Sequence, residues 1–144
     1  MAPQGLMRTL GALGLLPFFA TALGTMFLSD LLLALSQRAF LIYSLAILCF
    51  LAGTIWGERI ADGEKRELAP LLISNGVVLF AVFAILTAQP LVAALLLMVG
   101  HLAQFWYERS LPQRSVAYTR MRGWLTAGAA VAHLMFAIGL MWRA

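Results

Sequence analysis

Between Arg38 and Glu58 the chain reads RAFLIYSLAILCFLAGTIWGE, with nineteen uncharged and mostly apolar residues between the two charges. At about 1.5 Å of helical rise per residue, such a run just crosses a hydrocarbon core of about 30 Å. A backbone in lipid must satisfy its own hydrogen bonds, so a spanning segment is a helix or a strand of a closed barrel. The run is apolar on every face and does not alternate, which excludes an outer-membrane barrel strand. Four further runs share the pattern. The chain is therefore expected to be all-α and polytopic: a compact bundle of five transmembrane helices in one domain, 1–144. The spans are predicted over 6–28, 38–57, 68–87, 90–107 and 123–142.

Composition agrees with a lipid environment. Only 11% of residues are charged and 62% are hydrophobic, against about 25% charged in ordinary soluble domains. The net charge of +4 comes without a dense basic patch interleaved with stacking aromatics, so nucleic acid is not an expected partner. Cys49 is the only cysteine. It permits no intramolecular disulfide and no structural thiolate zinc site, and its mid-span position reads as packing.

The first run begins after a head with one positive charge, Arg8. A basic head, an apolar stretch and Ala20-x-Ala22 resemble a signal peptide, but the apolar run continues to Leu28, which favours a span. Pro17 removes a backbone donor and should kink that helix, freeing the Leu13 carbonyl for packing or for a ligand. Residues 29–37 are expected to hold a short interfacial helix, with Ser29 or Asp30 as its cap, before Arg38 turns the chain inward. Residues 58–67 carry seven charges and read as a solvated loop with no metal-loop spacing. Pro70 falls in the first turn of span three, where proline is tolerated. The two-residue link before Pro90 makes spans three and four an antiparallel hairpin.

Short loops with lysine and arginine set orientation. One side collects Arg8, Arg59, Lys65, Arg66, Arg109, Arg114, Arg120 and Arg122; the other has Arg38 and Arg143. The expectation is N-in/C-out, in a bacterial inner (cytoplasmic) membrane, or a mitochondrial inner membrane in a eukaryote.

Polar groups at membrane depth are the candidates for function. His101, Gln104 and Glu108 recur at i, i+3 and i+7, one helical face. Ser74 and Asn75 on span three are expected to turn toward another helix, since a polar group in lipid stays unpaired. These five residues form a candidate polar intramembrane face. His133 lies near the middle of span five, at a depth similar to His101. If the two imidazoles meet, they could be haem ligands; set against this is the tightness of a five-helix bundle, and hydrogen-bonded core histidines are the alternative. No cofactor is predicted. No metal site is predicted, nor a catalytic set: no HExxH, P-loop, dinucleotide fingerprint or nucleophile elbow is present.

Packing and interface residues are also legible. Gly53-x-x-x-Gly57 allows close helix approach, inside the bundle or to a partner. Trp56 and Trp124 suit the headgroup level. Gly128 and Ala132 begin a small-residue face on span five. Arg120 and Arg122 lie just before that span, placed to pair with Glu58 or Glu108 or to meet lipid phosphate.

The chain resembles the DUF3429 family, which includes the transmembrane protein 69 type proteins of mitochondria. The resemblance covers most of the chain. It rests on Pro17-Phe18, on Tyr43 with the stretch from Ile47 to Gly57 (ILCFLAGTIWG), and on the stretch from Tyr118 to Thr126 (YTRMRGWLT). Ile55 stands where the family commonly has histidine, Cys49 where it has serine, and Ala117 where it has tryptophan. The resemblance implies the five-helix membrane architecture and transfers no activity. The expected role is a non-catalytic integral subunit, or an assembly or stability factor, of a larger membrane complex. Membrane lipids and other integral membrane proteins, or a second copy of the chain, are its expected partners. A small homo-oligomeric transporter or channel is one alternative, and a haem- or quinone-binding electron-transfer protein is another.

Overall fold

The computed structural model describes residues 3–62, 68–111 and 114–143. The described residues form six helices: α1 (Pro3–Leu13), α2 (Leu16–Phe27), α3 (Asp30–Asp62), α4 (Leu68–Thr87), α5 (Pro90–Arg109) and α6 (Val116–Trp142). Among the described residues, five segments are long and apolar enough to cross a membrane, with α1 and α2 together making the first, Gly5–Phe27. The fold is an all-α, polytopic bundle.

The first span is broken, not merely bent. Gly14 and Leu15 form a turn in which the Leu15 amide donates to Ala12 at 3.1 Å, tightening the last turn of α1. Pro17 then falls in the first turn of α2, where its missing donor costs nothing. The Gly14 carbonyl accepts from the Tyr43 hydroxyl at 2.7 Å, so the break is tied to α3.

The second span differs from the expectation. No separate interfacial helix precedes Arg38; α3 runs unbroken from Asp30, which takes a positive φ of 50° at the tight turn after α2. Four leucines and one alanine fill 31–35, and these are strong helix formers, so nothing local ends the helix before Arg38. Asp30 still sits in the first turn of α3, where its carboxylate complements the helix dipole. The predicted polar loop falls partly on 63–67, outside the described residues.

Neighbours in sequence pack side by side. α2 lies on α3, α3 on α4, α4 on α5 and α5 on α6, while α6 returns to α2 and closes the ring; α3 and α5 also meet across it. The small-residue face of α6 makes that closure possible. A Cβ on Gly128 would come within 2.7 Å of Leu15, and one on Gly139 would run into Thr25. Ala132 is fully buried in the same seam. The core is built on Phe18, Phe40, Leu48, Leu97 and Phe136, with alanines between them. Phe40 and Phe136 stack at 4.2 Å between centroids, and Phe18 meets Phe40 edge-on at 5.6 Å.

Candidate functional site: a buried polar column

Each polar residue of the column sits where helical spacing puts it on the inward face. His101, Gln104 and Glu108 all point into the bundle from α5, and each is at most 3% exposed. Arg122, Thr126 and His133 face them from α6, four and seven residues apart. Ser44 completes the set from α3 and is fully buried.

At the inner end, the Ser44 hydroxyl lies between two imidazoles. Its Oγ is 3.1 Å from His101 Nε2 and 2.9 Å from His133 Nε2. His133 Nδ1 is 2.8 Å from the Ala129 carbonyl, one turn back on the same helix. A carbonyl only accepts, so that nitrogen carries a proton. With both rings neutral, His133 Nε2 then accepts from Ser44, and His101 Nε2 donates to Ser44. One hydroxyl thus links three helices, and the bonds run in a single direction. Around the pair, Phe18 approaches His101 at 5.9 Å and His133 at 5.4 Å, and Phe40 meets His133 edge-on at 4.8 Å. Aromatic rings therefore close this end of the column.

The other end is a charge pair. Arg122 holds Glu108 with two bonds, Nε to Oε2 at 2.8 Å and Nη2 to Oε1 at 3.1 Å. This fork fixes both carboxylate oxygens, which is why arginine suits the position and lysine does not. Arg122 Nη1 also reaches the Thr126 hydroxyl at 3.4 Å. Gln104 Nε2 donates to Glu108 Oε1 at 3.2 Å. The carboxylate sets that amide's orientation, leaving Gln104 Oε1 buried with no donor among the described residues.

The structure thus brings together His101, Gln104, Glu108, Arg122 and His133 from the sequence-derived candidates. It does not bring in the pair from span three. Ser74 is buried but donates to the Leu71 carbonyl of its own helix at 3.1 Å, and Asn75 is exposed. α4 packs against α3 and α5, and the helical step of about 100° between successive residues turns Asn75 away from the face on which Ser74 is buried. Arg120 is exposed and takes no part in the column, and Glu58 pairs with Arg114 at 3.0 Å. Gly53 and Gly57 lie on the outside of α3 with no atom within 4 Å of a built Cβ. Trp56 and Trp124 are 40% and 75% exposed. Cys49 is half-buried. Among the described residues, no group of three or more His, Cys, Asp or Glu side chains is placed to hold a metal ion.

Ser44 was not singled out from the sequence. A signal was there: it is a hydroxyl near the middle of an apolar span, where an unpaired polar group is costly. Thr126 also escaped, being only the fourth residue of the predicted span 123–142.

A family model for "Protein of unknown function (DUF3429)" matches residues 3–138. The chain belongs to the DUF3429 family. The match runs from the start of α1 into the last turns of α6, so the polar column and the broken first span lie inside the family's extent. Comparison with curated proteins and with solved structures finds no match.

Proposed function

We propose that this DUF3429 chain is a non-catalytic integral membrane subunit, or an assembly or stability factor, of a larger membrane complex. Its N-terminus lies in the cytoplasm in a bacterial inner membrane, or in the matrix in a mitochondrial one. One observation carries the reading. The bundle satisfies most of its polar groups internally, while the outer faces of α3 and α4 remain unfinished. Gly53 and Gly57 stand open on α3. Asn75 is exposed on α4, eight residues into a 20-residue span. At about 1.5 Å per residue that is roughly 12 Å deep, where an amide facing lipid is unfavourable by several kcal/mol, on the order of an unsatisfied backbone group. A helix from another membrane protein, packed on the glycines and bonded to the amide, removes both defects.

The alternatives draw less support from the geometry. A transporter needs His101 turned to a hydrated path, and its ring is instead enclosed by Phe18, Ser44 and His133. The histidines do face one another, with ring centroids 5.4 Å apart, as a haem site requires. Yet the Ser44 hydroxyl stands between the two Nε2 atoms, where an iron would, and Phe18 and Phe40 pack directly against the imidazoles. The residues do not fit that group.

Native mass spectrometry in mild detergent, at natural expression, tests the proposal. A stoichiometric hetero-complex is expected, lost in a Gly53→Val/Gly57→Val/Asn75→Leu variant that retains its thermal stability. A homo-oligomer that survives the triple substitution would instead favour transport, to be followed by flux measurements with His101 replaced.

A further inference from the structure

Positions 8 and 120 are 112 apart in sequence, yet both arginines line one groove where the beginnings of α1 and α6 meet. The groove has a volume of about 320 Å³ and is bounded by Arg8, Ala117, Arg120, Met121, Trp124 and Leu125. Each arginine lies close to the start of its spanning segment, Gly5–Phe27 and Val116–Trp142. The first and fifth spans run the same way through the membrane, so these two starts lie at one membrane face. Both side chains are exposed, and neither has an ion pair or hydrogen bond among the described residues.

The contrast with nearby arginines is informative. Arg122 is spent on Glu108, Arg114 on Glu58 and the Tyr118 ring, and Arg109 lies over Trp106 at 5.0 Å. Among the described residues, Arg8 and Arg120 are left as two guanidinium groups with no acidic partner, converging on one opening. The rest of the lining is apolar: Met121 and Leu125 form a wall one turn apart, and Trp124 is placed to sit at headgroup level. A seam between α1 and α6 shapes the groove, because Gly11 admits the Leu125 side chain, which a Cβ there would meet at 2.7 Å.

We infer that this groove binds the headgroup of an anionic phospholipid. Arg8 and Arg120 grip its phosphodiester oxygens, and Trp124 and Leu125 contact the glycerol and upper acyl carbons. Charge complementarity argues for the occupant: two forked cations with no acidic neighbour in the groove match a phosphate bearing net negative charge. The apolar wall argues for a lipid over a free anion, which would leave that wall unused. A zwitterionic lipid offers the same phosphate with a cation attached, and that cation meets two guanidinium groups. This inference does not depend on the subunit reading; it holds whether or not a protein partner is found.

The test uses the full-length protein in nanodiscs and detergent. Native mass spectrometry would be run after exchange into mixtures of phosphatidylglycerol, cardiolipin and phosphatidylcholine, for wild type, Arg8→Gln/Arg120→Gln, Arg8→Lys/Arg120→Lys and Arg38→Gln/Arg143→Gln. Wild type is expected to retain one anionic lipid through delipidation, with at least tenfold preference over phosphatidylcholine. The glutamine pair should lose that preference. The lysine pair keeps the charge but not the fork, and should retain an intermediate preference; it also keeps the test valid if the glutamine pair inserts poorly. The Arg38/Arg143 variant removes as much charge outside the groove and should behave as wild type. Equal retention of anionic lipid by the glutamine pair and wild type would overturn the site, as would no preference over phosphatidylcholine. Displacement of the lipid by millimolar inorganic phosphate would identify a simple anion site and overturn the lipid assignment.

Discussion

At the level of single residues, the Glu108–Arg122 pair carries the largest energetic stake. Glu108 and Arg122 are 2% and 7% exposed at the side chain, so neither charge has water to fall back on. Removing one partner strands the other, and breaking a buried pair typically costs about 3–5 kcal/mol. Glu108→Gln is therefore expected to lower stability by that order, read as denaturant or thermal unfolding in detergent. Replacing both, as Glu108→Leu/Arg122→Met, should recover most of the loss, because two matched apolar groups need no partner. If the double variant is as unstable as the single one, the pair has a role beyond mutual neutralisation. Asn75 shows the limit of reading residues from sequence. Ser74 and Asn75 are adjacent and both polar, and period alone did not say which faced inward; packing against α3 and α5 turned Ser74 in and Asn75 out.

Among the helices, the glycines divide into two kinds. Gly128 is where α6 admits Leu15, next to the break between α1 and α2. Gly128→Val overfills that seam and should destabilise the bundle by about 1–3 kcal/mol. Gly53→Val meets nothing and should change stability by no more than about 0.5 kcal/mol. Unfolding of both variants in the same detergent is the measurement; equal effects would show that the α2–α6 closure is not the seam described. The pattern of small residues was visible in sequence on both helices. Which pattern is internal was not, because GxxxG spacing reports only that a backbone can be approached, not by what. The same limit applies to α3. Its helical propensity continued through 30–37, and charge at Arg38 proved a weak stop signal next to a run of leucine.

For the whole molecule, the ring order of the spans predicts where its links lie. α3 and α5 end at the membrane face where α4 and α6 begin, and Gln89, between α4 and α5, lies at the other. In a Cys49→Ser background, single cysteines at Gly63 and Gln113 should label from the same side, and a cysteine at Gln89 from the opposite side. With the N-terminus in the cytoplasm, as proposed from the eight-to-two distribution of lysine and arginine, the first two are expected to label from the cytoplasm. Labelling of Gln89→Cys from the cytoplasm would reverse the orientation. Labelling of the Gly63 and Gln113 variants from opposite sides would contradict the five-span ring itself.

Hydrophobicity and length are local quantities, and so the number and helical nature of the spans, the hairpin at 88–89 and the His101–Gln104–Glu108 face could all be read from the chain alone. Contacts between distant segments are not local. The meeting of Ser44 with two histidines needs α3, α5 and α6 at one point, the choice of Arg122 over Arg120 as the partner of Glu108 is set where α6 packs on α5, and the convergence of Arg8 with Arg120 needs α6 to return to the first span. Small residues permit that closure without specifying it. Only the summed packing of α2, α3, α5 and α6 decided which polar groups would share an interior and which would face the membrane.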